Sequence, residues 1–299
     1  MRRRILLTGA SGFMGHHMAR LLKERGYDVS GIQPDLLLPC PEGVQPILAD
    51  LLNPSGLRDV PKEWDGVIHL AAMSLPSQFK DPTPVLHNVA MTLNLLEHLA
   101  PTRVLLVSSA HVYAPSLDLH HENEVLHPQG LYGLSKHLTE QVAPHYRHRL
   151  DIRVARPFNH IGPGMRPELM IPSLIRRLAA LDPADAAPVR MSGTNSIRDF
   201  IDVRDVATAY LHILELDSPE APTFNVCSGA PCSIESVVTE ALDILGQPRK
   251  VQFQEQPTSG DDIPFLVGSP ERLHGTHWRP HYSLRESLQS LFASTPEHP

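Results

Sequence analysis

The sequence predicts an α/β chain, a doubly wound parallel sheet followed by a smaller C-terminal lobe. Three observations carry this. Short apolar runs alternate with amphipathic helical stretches through the first half of the chain. A glycine-rich turn joins the first run to the first helix. After Pro157 the pattern changes, and Gly and Pro become frequent (Gly162, Pro163, Gly164, Pro167, Pro172). Repeated β-α-β order puts helices on both faces of a parallel sheet. The right-handed crossover rule then leaves a Rossmann-type arrangement as the simplest topology.

The elements follow in order. Ile5-Leu6-Leu7-Thr8 reads as a buried strand, and Phe13 to Arg25 as a helix on Met14, Met18, Leu21 and Leu22 that stops at Gly26. Tyr27 to Ile32, Val44 to Ala49 and Gly66 to Leu70 are the next strands. Pro84 to Leu99 is a long amphipathic helix whose stripe is Val85, Val89, Leu93 and Leu96. Arg103 to Val107 is an apolar strand, and Leu131 to Tyr146 a second long helix that Pro144 should kink or end. Asp151 to Ala155 is one more strand, and the C-terminal part reads as loops and short elements. Loops at 34–46, 182–188 and 254–264 are expected to be the most mobile, from their Pro, Gly and polar content.

Composition narrows the function. With 299 residues, 41% of them hydrophobic, the chain can bury a sizeable core. A net charge of −7 argues against nucleic acid as partner, since such binders carry a basic excess. No segment approaches the roughly 18 apolar residues of a membrane span. Arg2-Arg3-Arg4 precedes only Ile5-Leu6-Leu7, too short for the apolar core of a signal peptide. Cys40, Cys227 and Cys232 form no CxxC pair and suit a reducing compartment. A cytoplasmic protein is expected. The 18 histidines are scattered without metal-ligand spacing, so no metal site is expected.

Thr8-Gly9-Ala10-Ser11-Gly12-Phe13-Met14-Gly15 follows the first strand and opens the first helix. Glycines three apart let the backbone turn tightly beside a pyrophosphate, and the helix N-terminus offers N–H groups and a positive dipole end. These residues predict a dinucleotide site. After the second strand, Asp35 can accept from an adenosine ribose, whereas Gln33 is ambiguous, so NAD(H) and NADP(H) both stay open. Asp50 either meets the adenine edge or serves as a helix cap or turn aspartate.

Tyr132 and Lys136 stand four apart on one helix face. A free phenol, with a pKa of about 10, is a sluggish acid at neutral pH. A neighbouring cation is expected to lower it by about three units, for roughly 4 kcal/mol of differential interaction. The nicotinamide ribose could share that lysine. Ser108-Ser109 ends the fifth strand, at the sheet edge where ligands bind. Ser109 could hold a carbonyl or hydroxyl oxygen together with Tyr132, which would move the proton while hydride passes between nicotinamide and substrate.

These motifs resemble the extended short-chain dehydrogenase/reductase superfamily over almost the whole chain. The resemblance rests on Thr8-Gly9-xx-Gly12-Phe13-x-Gly15, His69-Leu70-Ala71-Ala72, Asn88 with Leu93-Asn94-Leu95-Leu96-Glu97, Ser108-Ser109-xx-Val112-Tyr113, Tyr132-xxx-Lys136 and Arg198 to Asp205. Within it, Ala155-Arg156-Pro157-Phe158-Asn159-His160-Ile161-Gly162-Pro163-Gly164 is similar to the GDP-4-keto-6-deoxy-mannose reductases, which make GDP-D-rhamnose. Phe224 to Gly229 and Asp262 to Gly268 add to this. The resemblance implies NAD(P) contacts at Gly9, Ser11, Gly12, Phe13, Met14, Gly15, Asp35, Asp50, Leu51, Leu70, Ala71, Ala72, Asn88, Val107, Tyr132, Lys136 and Pro157. It implies substrate contacts at Ser74, Ser109, Ala110, His111, Asn159 and Arg198. Arg198 would grip the nucleotide pyrophosphate, a task that suits a guanidinium fork; the alternative is an ion pair with Asp199 or Asp202.

The related 4,6-dehydratases carry a Thr/Ser-Asp-Glu run where this chain has Ser109-Ala110-His111. Without that acid pair, elimination lacks its machinery. The sequence departs from the reductases at Ser259, where an arginine is usual, at Ala114 in place of glycine, and at Pro144. The resemblance implies a dinucleotide-binding domain at 1–157 with about 203–226, and a nucleotide-sugar-binding lobe at 158–202 and 227–299. It also implies a homodimer built on the two long helices. The leading expectation is NAD(P)H-dependent reduction of the C4 ketone of a GDP-4-keto-6-deoxy sugar. A UDP-sugar 4-epimerase and a non-catalytic dinucleotide sensor are the alternatives.

Overall fold

The computed structural model describes residues 2–35, 37, 39–179, 187–192, 196–217, 221–246, 250–254 and 263–294. Ser259, Asp262 and most of the loops expected at 182–188 and 254–264 lie outside these residues, as do Leu36 and Leu38.

In chain order the elements begin β1 (Arg4–Thr8), α1 (Phe13–Glu24), β2 (Asp28–Gln33), β3 (Gln45–Leu48), β4 (Gly66–His69), α2 (Thr83–His98), β5 (Arg103–Val107), α3 (Gly130–Tyr146) and β6 (Asp151–Pro157). There follow β7 (Asn159–Ile161), α4 (Met170–Ala179), β8 (Val189–Ser192), β9 (Ile197–Asp202), α5 (Val203–Glu215), β10 (Thr223–Val226), β11 (Pro231–Ser233) and α6 (Ile234–Ile244). β12 (Val251–Gln254), β13 (Phe265–Leu266), α7 (Glu271–Gly275) and α8 (Leu284–Ser294) complete the chain. They divide into two units, the first made of residues 1–114, 122–157 and 207–226, the second of 115–121, 158–206 and 227–299. Residues 115–121 and 203–206, expected with the first unit, group with the second.

The first unit holds a seven-stranded sheet in the order β10-β6-β5-β4-β1-β2-β3, with every neighbouring pair parallel. This is the Rossmann-type sheet. The strand order reverses beside β1, between β2 and β4, and ligands bind at the carboxyl ends of strands around such a point. Leu6, Val67, Val104, Leu106 and Val154 fill one core with Leu95, Leu96, Val142 and Ala143. Helix α1 buries Gly15, Met18, Ala19 and Leu22 at helical spacing. It ends in a Schellman motif: Gly26 N–H donates to Lys23 O, Tyr27 N–H donates to Leu22 O, and Gly26 takes φ +81°.

Helix α2 departs from expectation. Its buried face is Pro84, Val85, Asn88, Thr92, Leu95 and Leu96, while Leu93 is exposed. Val89 packs partly buried against the core, and polar Asn88 and Thr92, hydrogen-bonded there, join the buried side in place of Leu93. Pro144 does not end α3, which runs two residues further. Proline lacks only its own N–H, so it removes one ladder bond at the last turn.

The second unit is more regular than the loops expected of it. β9 is flanked by β11 and β13 and also pairs with β7, and β12 pairs with β8. Helices α4, α6 and α8 close a separate core of Ile171, Leu174, Val237, Val238, Leu242, Leu288 and Leu291. Frequent Gly and Pro obscured these helices in the sequence.

Candidate active site

The glycine turn is tied closely to the segment after β4. Gly9 takes φ +70°, and a Cβ there would lie 2.8 Å from Ala71 N. A Cβ at Gly15 would lie 2.2 Å from Gly9 O, so only glycine lets α1 start this close to the turn. Helix α1 has no side-chain cap and no acid in its first turn. Its N-terminus therefore suits an anionic group, and the cradle fits a dinucleotide pyrophosphate.

A one-way chain of hydrogen bonds fixes the turn. Thr92 hydroxyl donates to Asn88 O at 3.1 Å, so it accepts from His69 Nε2 at 2.9 Å. His69 Nδ1 then accepts from Thr8 hydroxyl at 2.7 Å, and Thr8 Oγ1 accepts Ala71 N–H at 3.1 Å. Burial first, then the charge of Lys136, push the His69 pKa down to about 3, so the ring is neutral. Sequence motifs named His69 but not this duty.

Several expected cofactor residues have other visible work. Asp50 Oδ1 accepts Leu52 N–H at 2.9 Å, the turn role weighed as its alternative. Asp35 Oδ1 accepts Leu37 N–H at 2.9 Å, and Gln33 is buried with its Oε1 accepting from Cys40 Sγ at 3.0 Å. Asn88 Nδ2 donates to Met73 O and Ser135 Oγ, and Oδ1 accepts Met73 N–H. With both amide hydrogens engaged, Asn88 braces the loop after β4 against α3. Leu51 is buried in the sheet core, and Ser74 is exposed, its N–H held by Gln78. Ser11, Gly12, Phe13 and Met14 follow the turn half-buried, as do Leu70, Ala71 and Ala72 after β4. Val107 and Pro157 end β5 and β6 at the same sheet edge.

The reactive group gathers at that edge. Ser109 follows β5, is buried, and stands close enough to Tyr132 on α3 to lower the phenol pKa. Lys136, one turn along, is buried, and its Nζ donates to Val107 O at 2.9 Å. That leaves two donors on the ammonium, which fits ribose hydroxyls. The expected acidified phenol is corrected. Burial raises the Tyr132 pKa, and the opposing contribution comes from Ser109 rather than from Lys136. The main chain anchors the ammonium, and burial lowers its own pKa to about 8 against a raising contribution from Glu140.

Two rings flank Tyr132 edge-on, Phe79 at 5.6 Å and His111 at 5.5 Å between centroids. Phe79 was invisible in the sequence, lying in a short stretch without motif or period. Ala110 is buried in the turn that Ser109 caps. Ser108 Oγ is buried without a hydrogen-bond partner. Behind the site, Glu140 takes Arg156 bidentately at 2.9 and 2.7 Å. Tyr113 OH accepts from Arg156 at 3.0 Å and donates to Asn225 Oδ1 at 2.6 Å.

In the second unit, Asn159 Nδ2 donates to Asp199 O at 3.3 Å, and Arg198 donates to Ile197 O at 3.0 Å. The guanidinium on Asp202 belongs to Arg204, and Asp199 accepts the N–H groups of Ser228 and Gly229.

The family model described as the NAD dependent epimerase/dehydratase family matches residues 5–227. The chain belongs to this family of extended short-chain dehydrogenases/reductases and is an NAD(P)-dependent oxidoreductase. It is 32% identical to GDP-6-deoxy-D-mannose reductase of Pseudomonas aeruginosa, over 98% of this chain and 97% of that one. GDP-6-deoxy-D-talose 4-dehydrogenase of Aggregatibacter actinomycetemcomitans is 28% identical over 90% of each. The solved structure of RMD from Pseudomonas aeruginosa complexed with NADPH is 30% identical, with a TM-score of 0.81 over 98% of this chain and 97% of that one.

Proposed function

We propose that the protein reduces the C4 ketone of a GDP-4-keto-6-deoxy sugar with NAD(P)H, giving GDP-D-rhamnose or a close analogue. The observation that carries this is Tyr132 beside Ser109, with Lys136 one turn along and no carboxylate in the Ser109-Ala110-His111 run. Similarity to the two GDP-sugar enzymes supports the nucleotide. The dinucleotide supplies the hydride. Ser109 and Tyr132 hold the carbonyl oxygen, and Tyr132 donates the proton. A raised phenol pKa suits this direction, since the group must begin protonated. Lys136 holds the ribose by its two remaining donors. Asn159 and Arg198 contact the sugar and pyrophosphate, and Ser74, Ala110 and His111 complete the substrate contacts.

The partner of α2 and α3 is a second copy of the chain, as the family resemblance implies. Cys40, Cys227 and Cys232, with no CxxC pair among them, favour a reducing compartment, the cytoplasm. Among the described residues, no helix is long and apolar enough to cross a membrane.

The test incubates the protein with GDP-mannose, a 4,6-dehydratase, and NADH or NADPH in parallel. Stoichiometric loss of reduced cofactor and a 4-hydroxy product are expected, and Tyr132→Phe should abolish both while still binding dinucleotide. Interconversion of UDP-sugars without net cofactor use would replace this reading by the epimerase, which the family's name also covers. Dinucleotide binding with neither reaction would favour a sensor.

A further inference from the structure

Ser109 has one proton and two lone pairs, and several groups compete for them. Its Oγ accepts the backbone N–H of His111 at 3.2 Å and lies 3.3 Å from His111 Nδ1. The same hydroxyl lies beside the Tyr132 phenol and lowers its pKa. The imidazole cannot drift from this position easily. Its ring stands at 71° to that of Tyr132, and the turn is pressed on α3, where a Cβ at Gly133 would lie 2.3 Å from His111 O.

The proton on Nδ1 decides where the serine hydrogen points. With Nδ1 bare, Ser109 O–H turns to the imidazole and is lost to any oxygen beside Tyr132. With Nδ1 protonated, the imidazole donates to Ser109. Backbone and ring N–H groups then fill both lone pairs, and the hydroxyl hydrogen is turned from the imidazole toward the Tyr132 side, where the reacting oxygen sits.

The geometry points to His111 as a positioning residue for carbonyl reduction, its Nδ1–H aiming the Ser109 hydroxyl at the substrate ketone. This rests on the reading of Ser109 and Tyr132 as the carbonyl-binding pair. It gives His111 a duty other than direct substrate contact.

The test compares His111→Asn, which keeps an N–H donor near the Nδ1 position, with His111→Asp, which only accepts, and His111→Phe, which keeps the ring against Tyr132. Single-turnover reduction of the 4-keto sugar nucleotide is measured at saturating NAD(P)H, with dinucleotide Kd alongside. The Asp and Phe variants should slow reduction about three- to tenfold, the worth of one hydrogen bond, with Kd unchanged. The Asn variant should recover part of the loss. In the 15N spectrum of the unliganded protein, Ser109→Ala should shift the His111 Nδ1 signal. An Asp variant as fast as the Asn variant, or an Nδ1 signal indifferent to Ser109→Ala, overturns the inference. If Ser109→Ala and Tyr132→Phe themselves leave reduction intact, the carbonyl-binding pair is wrong. If they abolish it while the His111 series stays flat, only the role of His111 falls.

Discussion

At Tyr132, burial and hydrogen bonding pull in opposite directions, and burial wins. The phenol stays protonated at neutral pH, ready to donate. Lys136 is the group poised to titrate, since its pKa is lowered to about 8. Below that value the ammonium is charged; above it the charge is lost, and with it the grip on the ribose. The kcat/KM for NAD(P)H should therefore fall as pH rises through about 8. Lys136→Arg, whose guanidinium does not titrate there, should lack this alkaline limb even if it is slower. A flat wild-type profile from pH 6.5 to 9.5 would count against the role given to Lys136. Spacing within one helix made Tyr132 and Lys136 legible in the sequence, and the strand end made Ser109 so. The direction of the Tyr132 shift was not legible, because it depends on desolvation by residues distant in the chain. Phe79 and the Glu140–Arg156–Tyr113–Asn225 network were equally hidden, since their partners meet only in the fold.

At the scale of elements, α2 and α3 carry apolar residues on two sides. One side buries Leu95, Leu96, Val142 and Ala143 in the sheet core. The other leaves Leu86, Leu93 and Leu138 exposed around a groove of about 890 Å³. The sequence showed apolar periodicity but could not divide it between two faces, because buried Asn88 and Thr92 look like surface residues until their partners are known. Two copies pairing these helices would cover the leucines. A double variant, Leu86→Glu with Leu138→Glu, should halve the mass seen by sedimentation equilibrium while the far-ultraviolet spectrum stays native. A wild-type protein that sediments as a monomer at tens of micromolar would refute the pairing. The ion pair of Glu140 with Arg156 belongs to this scale too. It fastens α3 to β6 next to Lys136; breaking such a pair costs about 3–5 kcal/mol.

At the scale of the molecule, the order of the parallel strands gathers the glycine turn, the segment after β4, Ser109 and α3 at one sheet edge. Alternating runs and helices made six of its seven strands readable to within one or two residues at their ends; β10 fell in the part read as loops and short elements. The second unit was not readable in this way. Its strands are two to six residues long and its helices are separated by Gly- and Pro-rich stretches, so neither period persists. The central claim is that hydride leaves the dinucleotide and stays on the sugar while Tyr132 supplies the proton. The most direct measurement follows deuterium from [4-²H]NAD(P)H, labelled on the transferred face, during reduction of the 4-keto sugar nucleotide. One deuterium at C4 of the product per dinucleotide oxidised is the predicted result. A product without deuterium, formed with no net oxidation of the dinucleotide, would contradict it.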